Sequence, residues 1–68
     1  MESVRIIQYG LGPIGSAVAR HVVERRRLDL VGCVDIDPTK YGQDAGKVIG
    51  LDYTLGFDVV DNLGQALE

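Results

Sequence analysis

A single cysteine, Cys33, excludes an internal disulfide and offers no cysteine cluster for a metal. It stands in an apolar run and is expected to be a small buried side chain. A single histidine, His21, leaves little material for acid–base chemistry. The pattern sets no carboxylate or nucleophile near it, so it reads as a half-buried or surface helix residue. No apolar run approaches the roughly 18 residues of a membrane span, and no signal-peptide core precedes the first short strand. The expected setting is reducing and cytoplasmic, with no membrane partner. Basic charge is scarce as well. Seven Lys and Arg against ten Asp and Glu give a net charge of −3, which argues against nucleic acid as a partner. Arg25-Arg26-Arg27 is a local run and reads as a helix C-terminus. With 68 residues the chain suits one small domain and is too short for a typical two-domain enzyme.

Glycine, by contrast, is abundant. Nine glycines are about 13% of the chain, roughly twice average usage. Their placement fits glycine-punctuated βα loops. Gly10-Leu11-Gly12-Pro13-Ile14-Gly15 follows the apolar run Val4 to Tyr9 and opens a helix-like run from Pro13. This is G-x-G-x-x-G between a strand and a helix, the setting of a dinucleotide fingerprint. Gly10 is expected to make the tight turn. Gly12, with no Cβ, would let a pyrophosphate reach its backbone, and Gly15 would let helix and strand pack closely. Pro13 suits the first helical turn, whose free N–H groups and positive dipole end favour phosphate. The competing reading is a strand–helix turn that holds no ligand.

Val4 to Tyr9 is rich in β-branched residues and reads as a buried strand. The first helix is expected from about Pro13 to Arg26. Ile14, Val18, His21, Val22 and Arg25 share its packed face, with Ala17 alongside. Arg20 and Glu24 form an i, i+4 pair in the less favoured order. Leu28 to Val34 is the second strand and ends at Asp35, 20 residues after Gly15. That is the spacing at which the fingerprint sets an acid on the adenine ribose hydroxyls. A solvated loop or turn residue is the alternative for Asp35, and the favoured reading for Asp37, which begins a turn at Pro38. A short helix within 43–50 would be capped by Asp44 and stopped by Gly50. Leu51 to Leu55 carries no clear signal. Phe57 to Val60 is expected as a third strand, and Asn62 as the cap of a last helix, with Gln65 at the reciprocal position.

The expected fold is therefore α/β: β-α-β, a short α, β and the start of another α. That is the first half of a Rossmann-type doubly wound parallel sheet. The chain is expected to be a partial dinucleotide-binding domain, with the rest of the domain and any substrate domain lying outside it. The first strand, central in such a sheet, would then be an open edge inclined to pair with another chain.

Gly10 to Gly15, Leu30-Val31-Gly32-Cys33-Val34-Asp35 and Asp44-Ala45-Gly46 with Gly50 resemble the N-terminal domain of dihydrodipicolinate reductases. The likeness is greater to the branch grouped with 2,4-diaminopentanoate dehydrogenase and runs from Val4 to about Leu67. Lys47 departs from it, since the family usually continues the Asp-Ala-Gly segment with glutamate. The resemblance implies a two-domain NAD(P)-dependent oxidoreductase, homo-oligomeric at full length. It would act on a small amino-acid-like or dicarboxylate substrate. The family's proton-donating residues belong to a second domain, so no catalytic residue and no metal ligand is assigned here. The cofactor-binding set is Gly10, Leu11, Gly12, Pro13, Ile14, Gly15 and Asp35. The carboxylate of Asp35, followed by Ile36 rather than arginine, gives NAD a modest advantage over NADP. Lys40 and Lys47 read as surface lysines, with contact to a 2′-phosphate as the alternative. Two other functions compete: a nucleotide-sensing regulatory module without catalysis, and an interaction domain with an empty turn.

Overall fold

The computed structural model describes residues 2–67. Its elements are β1 (Val4–Tyr9), α1 (Pro13–Glu24), β2 (Leu28–Val34), α2 (Ala45–Val48) and α3 (Leu63–Ala66). β1 and β2 lie parallel. A parallel pair needs a crossover longer than a hairpin turn, and α1 supplies it. The pairing runs from Val4 opposite Leu28 to Tyr9 opposite Val34, with an irregularity between Ile6 and Ile7 that leaves Val31 unmatched. Among the described residues these two strands are the whole sheet. The result is an α/β unit consistent with the start of a Rossmann-like fold.

Both strands and the start of α1 fall where the residue pattern sets them, but β1 is not the buried strand expected: Val4, Arg5 and Tyr9 are exposed and Ile6 to Gln8 only half-buried, because among the described residues β1 has β2 alone as a sheet neighbour. The end of α1 differs. The helix stops at Glu24 rather than near Arg26, because Arg25 turns extended (φ −91°, ψ 132°). The exposed arginines lie beyond the helix, in the turn that delivers Leu28 to β2, and the Arg27 carbonyl accepts from the Val4 amide at 2.7 Å. The packed face is also different. Val22 is buried as expected, but its buried companions are Ser16 and Ala19, whereas Ile14 is 82% exposed and Val18, His21 and Arg25 are exposed too. Small side chains line the packed face, and at Gly15 the helix closes on the glycine turn, where a Cβ would meet the Gly10 carbonyl. The expected Arg20–Glu24 pair gives way to a different bond: Arg20 donates to the Ile49 carbonyl and ties α1 to the end of α2.

The third strand is reduced to single bridges. Val60 pairs with Val34 in parallel, and Asp58 pairs with Asp44 antiparallel. The reason lies in where the peptide groups go. The Val60 amide donates to the Cys33 carbonyl and its own carbonyl accepts from Asp35, each at 3.0 Å. Phe57 and Val59 instead bond to Ala45, Gln43 and Gly42. A segment shared between two partners cannot extend a ladder along either.

Leu11, Ala19, Val22, Leu30, Cys33, Ala45, Ile49 and Val59 form the core. Burial pushes the Cys33 thiol up to about 11, which leaves it an inert packing group. α2 is the short helix expected, with Asp44 as N-cap and Gly50 beyond its end at φ +93°. Asp44 does more than cap. Its carboxylate accepts from the amides of Gly46, Leu55 and Gly56, closing the loop that carried no sequence signal. Gly46 permits the closure, since a Cβ there would lie 2.4 Å from the Tyr53 carbonyl oxygen. The Asp-Ala-Gly segment is thus built for packing: cap, fully buried alanine, close approach. Asn62 caps α3 by accepting from the Gln65 amide at 2.8 Å. α3 lies over Gly32, where a Cβ would meet Ala66. An open cavity of about 560 Å³ there is lined by Arg5, Ile7, Val31, Ala66 and Leu67. None of these belongs to the glycine turn.

Candidate functional site

The turn between β1 and α1 is built from three glycines with three different physical roles. Gly10 has φ +95°, a conformation glycine adopts without penalty and other residues resist. It turns the chain off β1 while its amide donates to the Val34 carbonyl at 2.7 Å. Gly15 faces protein: a Cβ would lie 2.1 Å from the Gly10 carbonyl oxygen. Gly12 faces open space, since a Cβ would meet no atom within 4 Å. Its φ of −66° and ψ of −174° are ordinary extended backbone, so neither strain nor crowding within the chain accounts for a glycine there. Pro13 opens α1 and no side chain caps it. The first-turn amides of an α-helix have no partner within the helix.

Leu11 holds the turn in place. Its side chain is in the core. Its carbonyl accepts from the Ser16 hydroxyl and from Lys40 Nζ, each at 2.9 Å. Its amide donates to Asp35 Oδ2 at 2.7 Å. The other oxygen of Asp35 accepts from the Asp37 amide at 2.9 Å. Asp35 is thus brought beside the glycine turn from the end of β2, and its carboxylate is fixed at both oxygens. The Asp37 amide, then the Leu11 amide, hold its pKa below the usual carboxylate range, helped by the charge of Lys40. Asp37 is the turn former expected. Its side chain accepts from the amide and hydroxyl of Thr39, and these bonds lower its pKa.

One participant escapes a reading of the sequence, and a second is read there chiefly as a surface lysine. Ser16 lies inside the first turns of α1, where a buried hydroxyl bonding back to a loop carbonyl has no spacing signature. Lys40 is not a free surface lysine. The turn begun at Asp37 carries it back to the glycine loop, where Nζ also stands 3.9 Å from Asp35 Oδ2. Lys47 is exposed. His21 is exposed on α1 and takes no part. Among the described residues no group of His, Cys, Asp or Glu is arranged to hold a metal ion, and no helix is long and apolar enough to cross a membrane.

A glycine-rich turn from a parallel strand into a helix, with an acid from the end of the adjacent strand beside it, is the arrangement of a nucleotide-binding βαβ unit. No family model matches the chain. It is similar to 4-hydroxy-tetrahydrodipicolinate reductase of Mastigocladus laminosus, with 32% identity over 62 residues. The match takes in 91% of this chain and 22% of the relative's length. That similarity supports the dihydrodipicolinate reductase family and reaches no finer branch.

Proposed function

We propose that the chain is the NAD(P)-binding part of a reductase of the dihydrodipicolinate reductase family, and the first half of a doubly wound sheet. One observation carries the reading: Gly12 is a glycine that nothing within the chain requires, at the start of a helix with unpaired first-turn amides. A pyrophosphate would supply the missing reason. Gly12, Ile14 and Gly15 would present the amides, Pro13 would preset the first turn, and Gly10 and Leu11 would hold the loop. Asp35 would receive the ribose hydroxyls on lone pairs that its two amide bonds leave free. Bound there, the cofactor supplies a hydride to or from a small substrate. A small amino-acid-like or dicarboxylate substrate, held by residues outside this chain, completes the proposal, as does a homo-oligomeric full-length protein.

Amide NMR during titration with NAD tests the site. The expected result is a saturable set of shifts at Gly12, Ile14, Gly15 and Asp35. Shifts confined to the cavity between α3 and the sheet, or none at millimolar NAD, would reject the assignment.

A further inference from the structure

An amide of the glycine turn can meet a pyrophosphate only if its peptide group points the right way. Two successive peptides there are held by side chains. In the first, the Gly10 carbonyl accepts from Gln8 Nε2 at 3.2 Å and the Leu11 amide donates to Asp35 Oδ2 at 2.7 Å. In the second, the Leu11 carbonyl accepts from the Ser16 hydroxyl and from Lys40 Nζ, each at 2.9 Å. The described peptide bonds are all trans, and in a planar trans peptide the N–H points opposite to the carbonyl. Holding the Leu11 carbonyl toward Ser16 therefore aims the Gly12 N–H the other way. Among the described residues that N–H has no hydrogen-bond partner, and the space beside Gly12 is open. The Ser16 bond is not the one its place in the helix dictates. A serine hydroxyl inside a helix ordinarily bonds a carbonyl three or four residues back. Four back is Gly12, whose carbonyl already accepts the Ser16 amide at 2.8 Å. The hydroxyl passes it and reaches Leu11, five back and outside the helix. Ser16 is 8% exposed, and alanine would suit a buried helix position better. Lys40 holds the same carbonyl from a long, flexible stem that is 29% exposed. The short buried side chain leaves less slack and sets the direction.

We infer that Ser16 is a positioning residue for the pyrophosphate: by holding the Leu11 carbonyl it aims the Gly12 N–H at the ligand. The inference rests on the dinucleotide reading above and adds to it a residue outside the glycine turn. Calorimetric and amide NMR titrations of NAD into the wild type, Ser16→Ala and Asn62→Ala test it. Ser16→Ala leaves the Leu11 carbonyl its bond to Lys40, so no buried acceptor is orphaned and the fold should hold. Asn62→Ala removes the cap of α3 and lowers stability away from the turn. The expected result is that Ser16→Ala loses about threefold or more in NAD affinity. At saturation its Gly12 amide proton should also move less far downfield than in the wild type, the mark of a weaker hydrogen bond to phosphate. Asn62→Ala should melt lower and bind NAD like the wild type. A smaller loss of affinity in Ser16→Ala, or a full Gly12 shift, would overturn the inference while leaving the dinucleotide reading intact. An equal loss in Asn62→Ala would overturn it too, since affinity would then follow stability alone. A wild type that binds no NAD would remove both.

Discussion

Gly12 and Gly15, three residues apart in one motif, answer to different forces. Gly15 is fixed by the fold. A methyl group there would be driven into the Gly10 carbonyl at 2.1 Å, so helix and turn would have to separate. Gly15→Ala is expected to lose about 1–3 kcal/mol of stability, read as a lower urea midpoint at unchanged slope. The carboxylates make a second prediction at this scale. Asp35, Asp37 and Asp44 are all acidified by hydrogen bonds in the fold, Asp44 most by the Leu55 amide. A carboxylate with a lowered folded pKa adds stability that is fully present above its unfolded value, near 3.9, and is lost as pH falls through the folded value. Urea midpoints should therefore show no loss from these groups above about pH 5 and should drop below about pH 4. Asp35→Asn should flatten part of that drop. An identical acid limb in the variant would remove Asp35 from the account.

At the scale of elements, the two strands and three helices follow local rules and were legible in the residues. The β-branched runs, the glycine turn, Pro13 at a helix start, and Asp44 and Asn62 as caps each act within a few positions. What was not legible depends on contacts far apart in sequence. The face of α1 is the clearest case. Apolar spacing marks Ile14 and Val18, but the helix closes on the glycine turn at Gly15 and buries Ser16, bonded to the Leu11 carbonyl, and Ala19 instead. The third strand failed for a similar reason, since Phe57 to Val60 is divided between β2 and residues 42–45. The bonds of Asp44 to the Leu55 and Gly56 amides and of Lys40 to the Leu11 carbonyl span 11 or more residues and left no local trace. The reassigned face has a direct consequence. Ala19→Leu should cost about 1–3 kcal/mol through overpacking, while Ile14→Ser should stay within about 0.5 kcal/mol. Thermal melts of the two variants decide between the faces, and the reverse order would restore the apolar stripe.

For the whole molecule, α1, β2 and the 42–60 segment enclose the core, while β1 pairs with β2 alone among the described residues. The glycine turn and Asp35 sit together at the C-terminal ends of the two strands, where open α/β sheets bind ligands. The central claim is that the open space at Gly12 is kept for a dinucleotide. Gly12→Val isolates that claim, because valine is compatible with φ −66° and its Cβ meets no atom of the chain within 4 Å. The measurement is calorimetric titration of NAD into the wild type and Gly12→Val, with a thermal melt of each. The account predicts saturable binding by the wild type, and a variant that melts like it but loses binding by about a hundredfold or more. Equal affinity in the two proteins would contradict it.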